Sequence, residues 1–186
     1  MSRADAARAL QRAPTNITGS WSRVTTRFGD FHVAAFDGAI VQTALPGMAT
    51  EAFLAALEER HPAVDFRRDD ADPLLRRAAH QLAEYSEGRR QAFDLPVRLE
   101  GTAFQTRVWH ALEGIPFGQT RSYQDIAREI GRPGASRAVG QANHSNPLAP
   151  IVPCHRVVTS SGSLGGYGGG MPLKKRLLEH EGIELE

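Results

Sequence analysis

The chain has 186 residues, 41 % of them apolar, which fits one generous domain or two compact ones and excludes a disordered protein. Lys and Arg number 22 against 21 Asp and Glu, so whole-molecule charge is no argument for a nucleic-acid partner, although a local patch stays open. The single cysteine, Cys154, excludes an intramolecular disulfide and a zinc cluster built on several cysteines, and a lone thiol suits a reducing compartment.

Residues 1–19 read as a polar, mobile tail in which Arg and Asp alternate with Ala, without the continuous apolar core of a signal peptide. No apolar run approaches the roughly 18 residues that span a bilayer. The expectation is a soluble cytoplasmic protein with no membrane partner. Strand-like stretches follow at 22–28, 31–36 and 39–45, separated by the turn pairs Gly29-Asp30 and Asp37-Gly38. A helix is predicted over 50–60 with Thr50 as N-cap, Phe53, Leu54 and Leu57 as its apolar stripe, and Pro62 beyond its end. A second helix is predicted over 72–84, with Pro73 at its first position and Leu74, Leu75, Ala78, Ala79 and Leu82 on the buried face. Residues 86–100 read as a linker or a last strand.

The second half reads as helical. Residues 102–112 carry Phe104, Val108, Trp109 and Leu112 on one face, and 115–118 turn the chain. Ser122 and Asp125 have the spacing of a capping box ahead of a helix containing Ile126 and Ile130. Residues 131–134 end that helix, and another is predicted over 135–144. Two short helices joined by a tight Gly-containing turn make a candidate helix-turn-helix. In its second helix Arg137, Gln141 and His144 share a side, while Ala138, Val139 and Ala142 can pack inward. The helix is otherwise slim (Ala135, Ser136, Gly140), which suits the narrow minor groove better than a major-groove reader rich in long polar side chains. A helical hairpin packed in a core, with Arg137 solvated, fits the same spacing.

Around Cys154, two apolar runs flank Pro153-Cys154-His155-Arg156 and suggest a strand-like segment interrupted at a pocket. A cysteine reacts as its thiolate and needs a base or a positive neighbour. His155 is adjacent, but neighbours in an extended segment point to opposite faces, so a water or a bent backbone must link them. An inert buried cysteine is the competing reading; His155 and Arg156 beside it are costly to bury without purpose.

These residues resemble the active-site motif of the O6-alkylguanine-DNA alkyltransferases, also called methylated-DNA–protein-cysteine methyltransferases. The resemblance runs over about 101–182. It includes Gly101-Thr102-x-Phe104-Gln105-x-x-Val108-Trp109, Ile115-Pro116-x-Gly118-x-Thr120-x-Ser122-Tyr123, Arg137-Ala138-Val139-Gly140, Asn146-Pro147 and Gly166-Tyr167-Gly168-Gly169-Gly170. It implies an α+β protein: a small ribonuclease H-like α/β domain at 20–97, then a mainly helical domain with the helix-turn-helix at 98–186. The partner implied is double-stranded DNA, bound by a monomer through the minor groove with the alkylated guanine rotated into a pocket. Cys154 would be the nucleophile, and His155 would take its proton through a water, oriented by Glu181. Tyr123 would give a proton toward guanine N3 and help base rotation, Arg137 would fill the vacated stack, and Asn146 would hold the turn before the active-site segment. Ser136, Ala138 and Gln141 would share the DNA contact, and Val157, Tyr167, Gly168 and Gly169 would line the base pocket. No cofactor and no metal are expected. Gly168 stands where some members have Ser, so a side-chain hydrogen bond to O6 is lost there. Alternatives are a helix-turn-helix regulator, a lesion-binding protein without transfer, which Cys154 argues against, and a cysteine hydrolase, for which no oxyanion hole is specified. The Gly-rich run lacks the Gly-Lys-Ser/Thr of a phosphate loop.

Overall fold

In a computed structural model, residues 17–184 are described. Strand β1 spans Thr18–Thr26, β2 Gly29–Phe36 and β3 Ala39–Ala44; helix α1 spans Thr50–Arg60, β4 Asp65–Arg68 and α2 Pro73–Ser86. The sheet order is β3-β2-β1-β4, antiparallel except that β4 runs parallel to β1 after the α1 crossover. Most of the expected tail lies outside the described residues, but Thr18 and Gly19 belong to β1. Strand β4 was not anticipated: Asp65, Arg67 and Arg68 leave only Phe66 as a strand-like signal.

The Asp37-Gly38 turn forms as expected, with φ of 50° and 74° at its two residues, the pattern of a type I′ hairpin. The first hairpin turns one pair earlier than expected, at Arg27-Phe28. The hydroxyl of Thr26 accepts from the Phe28 N–H and donates to the Gly29 carbonyl, and Gly29 takes φ 123° to re-enter the ladder. Helix α1 starts without a side-chain cap. Thr50 is its first residue rather than its N-cap, and its hydroxyl meets His32 Nε2 at 2.9 Å instead. Asp72 caps α2 by accepting from Leu74 and Leu75 N–H, with Pro73 at the first position.

Both faces of the sheet are covered, which explains why β2 is buried along most of its length. Phe53 and Leu57 of α1 close one face over Ala34, Val41 and Ala44. On the other, Leu75, Ala78, Leu82 and Tyr85 of α2 meet Val24, Phe31, Val33 and Ile40, and the same core continues without a break into the C-terminal half. Residues 87–102 form the connection, with the Ile40–Val97 bridge as its one extended pairing.

The C-terminal half carries α3 at Ala103–Glu113, β5 at Arg121–Ser122, α4 at Tyr123–Glu129 and α5 at Ser136–His144. A 3-10 turn at Cys154–Arg156, β6 at Val157–Val158 and α6 at Met171–His180 complete it. Reciprocal capping boxes start α3 (Thr102, Gln105) and α4 (Ser122, Asp125); the second was legible from spacing. Trp109 of α3 is fully buried and donates its indole N–H to the Ala142 carbonyl at 2.7 Å, fixing α5 against α3. Val139 and Ala142 pack inward as expected, but Ala138 is exposed. No described helix is long and apolar enough to cross a membrane.

Candidate active site

The segment carrying Cys154 is tied to the sheet before it reaches the thiol. At the end of β3, Thr43 donates its N–H to the Pro147 carbonyl at 2.7 Å and its hydroxyl to the Ala149 carbonyl at 2.6 Å. Asn146 then spans the bend, accepting from Leu148 N–H at 3.0 Å and donating to the Val152 carbonyl at 2.8 Å. Cys154 opens a 3-10 turn rather than sitting in a strand. The Cys154 N–H bonds the Val152 carbonyl at 2.8 Å, and Asn143 of α5 donates to the Cys154 carbonyl at 3.1 Å. The turn bends the backbone between Cys154 and His155, so the alternation expected of an extended segment does not apply.

The thiol is 3 % exposed and faces a cavity of about 640 Å³. Asn143, Asn146, Tyr167, Gly168 and Gly169 line one side, and the loop between β3 and α1, including Leu45 and Met48, lines the other. Burial pushes the thiol up to about 11, against the opposing pull of the Asn146 side chain, the Lys174 charge and the backbone N–H groups of Cys154 and His155. At neutral pH the resting group is therefore the thiol.

His155 is fully buried, and its Nε2 lies 2.8 Å from Glu181 Oε1. Burial depresses its basicity while Glu181 supports it. Glu181 caps α6 and is 4 % exposed. Burial alone would raise its pKa, but donors from His155, Arg156 and Tyr85 hold the carboxyl down at about 2. Arg156 grips both its oxygens, Nε to Oε2 at 2.8 Å and Nη2 to Oε1 at 2.9 Å, and spends Nη1 on the Ile115 carbonyl at 2.6 Å. The Gly118 N–H adds a bond to Oε2 at 3.2 Å. An ionised Glu181 at Nε2 fixes the tautomer: Nε2 carries the proton, and Nδ1 keeps its lone pair. Nδ1 is buried and has no hydrogen-bond partner.

The Gly-rich loop packs on this centre. Tyr167 is buried with its hydroxyl unbonded, and burial followed by the neighbouring Cys154 raises its pKa. A Cβ on Gly169 would come within 2.7 Å of Leu173 and 2.9 Å of Leu45, so side-chain-free backbone is needed there. Lys174, on α6, is fully buried below the loop and donates to the Val157 carbonyl at 2.6 Å and to the Leu164 carbonyl. Burial brings it down to about 8, with Cys154 acting the other way.

A second cavity, of about 770 Å³, runs along the outer face of α5, lined by Tyr123, Ser136, Arg137, Gly140, Gln141 and His144 and by Thr159, Ser160 and Gly166 opposite. Arg137 and Gln141 are exposed there. Tyr123 is half-buried at the start of α4, its hydroxyl donating weakly to the Gly166 carbonyl at 3.4 Å, and burial raises its pKa.

Cys154, His155 and Glu181 are thus linked in one centre with Asn146, while Tyr167, Gly168 and Gly169 wall its cavity and Val157 lies buried just behind it. Tyr123, Ser136, Arg137 and Gln141 line the second cavity, and Ala138 does not line it. Sequence reasoning did not single out Tyr85, Asn143, Lys174 or the clamp that Arg156 places on Glu181. Lys174 was detectable: it lies on the same helical stripe as Leu173, Leu177 and Leu178, so the period places a lysine in the core. Tyr85 gave no signal beyond an aromatic on the buried face of α2. Among the described residues no group of three or more His, Cys, Asp or Glu is placed to hold a metal ion.

Residues 103–183 match the family model described as 6-O-methylguanine DNA methyltransferase, DNA binding domain. The inducible methylated-DNA–protein-cysteine methyltransferase of Bacillus subtilis is 40 % identical over 161 residues, covering 87 % of this chain and 89 % of that protein. A methylated-DNA–protein-cysteine methyltransferase of Mycolicibacterium paratuberculosis is 55 % identical over 104 residues, covering 56 % of this chain and 63 % of the relative's length. Among solved structures, Mycobacterium tuberculosis OGT in complex with DNA superposes with a TM-score of 0.76 at 39 % identity, covering 87 % of this chain and 92 % of that one. The O6-methylguanine DNA methyltransferase of Methanococcus jannaschii follows at 0.61 and 29 %, covering 89 % and 95 %. The chain belongs to the methylated-DNA–protein-cysteine methyltransferase family.

Proposed function

We propose that the chain repairs DNA by moving the alkyl group of O6-alkylguanine onto Cys154 in one irreversible transfer. The observation that carries this reading is a buried thiol at a cavity, next in chain to an imidazole whose Nδ1 is unpartnered and whose Nε2 is held by an ionised carboxylate. The sulfur attacks the alkyl carbon, the S–C bond forms as the C–O6 bond breaks, and guanine leaves with the bonding pair. The thiol proton passes through a water to His155 Nδ1. Tyr123 protonates the departing purine at N3 and is reprotonated from solvent. Because the resting thiol is pushed up to about 11, ionisation is coupled to a substrate in the cavity. Nothing in the centre offers a route to cleave a thioether, so each molecule acts once.

The DNA partner is read from the groove along α5. Helices α4 and α5 meet at the Gly131 turn as a helix-turn-helix, and α5 presents a slim face bearing Arg137 that suits the minor groove. Arg137 occupies the stack when the base leaves, and Ser136 and Gln141 contact the backbone. The strand order β3-β2-β1-β4, with β4 parallel to β1, supports a ribonuclease H-like arrangement in the N-terminal domain at 20–97, followed by the domain at 98–186. A monomer working in the cytoplasm, where the thiol stays reduced, completes the reading. Incubation of Cys154→Ala with duplex DNA containing O6-methylguanine tests it. The variant is expected to bind the lesion duplex as the parent does and to gain no mass; a mass gain of one methyl group would refute the assignment.

A further inference from the structure

Helix α2 belongs to the sheet half of the molecule, yet the last buried aromatic on it, Tyr85, reaches the centre just described. Tyr85 is 1 % exposed, and its ring is packed among Phe28, Phe93, Phe117 and His180, with centroids 5.2–6.3 Å away. Packing alone would be satisfied by phenylalanine. The hydroxyl instead passes through this aromatic shell, donates to Glu181 Oε1 at 2.6 Å and lies 3.4 Å from His155 Nε2.

We propose that Tyr85 is a positioning residue for the transfer reaction: its hydroxyl shares Glu181 Oε1 with His155, and by drawing on that carboxylate it holds down the basicity of His155 Nδ1. The inference rests on the reading of His155 as the acceptor of the Cys154 proton. Oε1 takes three donors, from Tyr85, His155 and Arg156, and Oε2 takes two more, from Arg156 and Gly118. A carboxylate so occupied supports an imidazolium less than a carboxylate with one donor fewer. The charged or titratable groups acting on this pair include Arg156 from the active-site turn and Lys174 from α6, with Cys154 next in chain to His155 and His180 packed against the Tyr85 ring. Tyr167 comes from the Gly-rich loop, and Tyr85 alone of them from the N-terminal half. His180 Nε2 contacts the Tyr85 carbonyl at 2.6 Å and so holds the backbone rather than the hydroxyl. The N-terminal half thereby sets the proton affinity of the centre as well as supporting it.

The test is single-turnover transfer from an O6-methylguanine duplex, followed against pH for the parent, Tyr85→Phe and Phe28→Leu. The acid limb of the profile reports protonation of His155. Tyr85→Phe removes the dipole whose positive end faces the pair, and its acid limb is expected to move up by about one pH unit, the scale of one hydrogen bond to a charged group. Phe28→Leu disturbs the packing of the same ring and is expected to lower stability with the limb unmoved. Superimposed limbs for Tyr85→Phe and the parent, or equal shifts in the two variants, would overturn the proposal. If Tyr85→Phe does not fold, the parent decides by NMR: a slowly exchanging, downfield hydroxyl proton on Tyr85 supports the bond to Glu181, and its absence overturns it. A parent that places no alkyl group on Cys154 removes the functional reading itself, whereas transfer with an unmoved limb removes only the role of Tyr85.

Discussion

Glu181 shows why a buried charge is tolerated near the end of this chain. Five hydrogen bonds from Tyr85, His155, Arg156 and Gly118 replace its hydration. Its folded pKa of about 2 lies below the ordinary value, so its contribution to stability is complete above about pH 4.5 and is lost as pH falls toward 2. Glu181→Gln is expected to lower unfolding free energy by about 3 kcal/mol at neutral pH. In acid denaturation series the gap to the parent should narrow between pH 4.5 and 2; a gap that stays constant across that window would contradict the account. At this scale the sequence was informative where chemistry is carried by a short motif. Cys154, His155 and Arg156 are contiguous, and the resemblance supplied Glu181. The partners Tyr85 and Asn143 were not legible, because a hydroxyl 96 residues away and an amide on the buried side of α5 leave no local pattern.

Among the elements, helices were read more reliably than the segments between them. The periods of α2 and α3 follow the apolar residues, and Ser122 with Asp125 marks the start of α4, whereas α6 was not anticipated although Leu173, Leu177 and Leu178 carry its stripe. Ser122→Ala removes the oxygen that accepts from Asp125 N–H at 3.1 Å, and thermal unfolding should show a loss of about 1 kcal/mol. The 3-10 turn at Cys154–Arg156 escaped because Val and Ile on either side carry strand propensity, while the hydrogen bonds that bend it come from Asn143 and Asn146 elsewhere. Strand β4 escaped because its pairing with β1 is through the backbone, with two arginines and an aspartate on its surface. Helix α5 is slim for a reason that can be measured. Gly140 lines the groove with Tyr123 3.8 Å from where a Cβ would stand, so Gly140→Leu fills the groove from the outside. Affinity for lesion duplex should fall about tenfold or more, the ratio that about 1.4 kcal/mol represents, with the unfolding midpoint little changed. Unchanged affinity would remove α5 as the DNA face.

Over the whole molecule, the two halves share one continuous core, and the segment carrying Cys154 is suspended between them. Thr43 at the end of β3 holds the 147–149 backbone, Leu45 and Met48 wall the cavity, and Tyr85 reaches the carboxylate from α2. Thr43→Val leaves the Ala149 carbonyl without its donor and is expected to cost about 1–3 kcal/mol in denaturant unfolding. The same variant should slow transfer, since the backbone before Cys154 loses an anchor; transfer at the parental rate would show that the sheet does not position the thiol. Strand and helix patterning, with the resemblance, pointed to an α+β protein, but not to a cavity beside Cys154 shared by both halves, because long-range contacts are invisible to periodicity. The central claim is that Cys154 is a single-use acceptor, and it is tested by adding excess duplex DNA carrying O6-[methyl-14C]guanine and mapping the label by peptide. One label per molecule is expected at saturation, all of it on the peptide containing Cys154, with unmodified guanine restored in the duplex. Label beyond one per molecule, label on another residue, or methanol released into solution would contradict it.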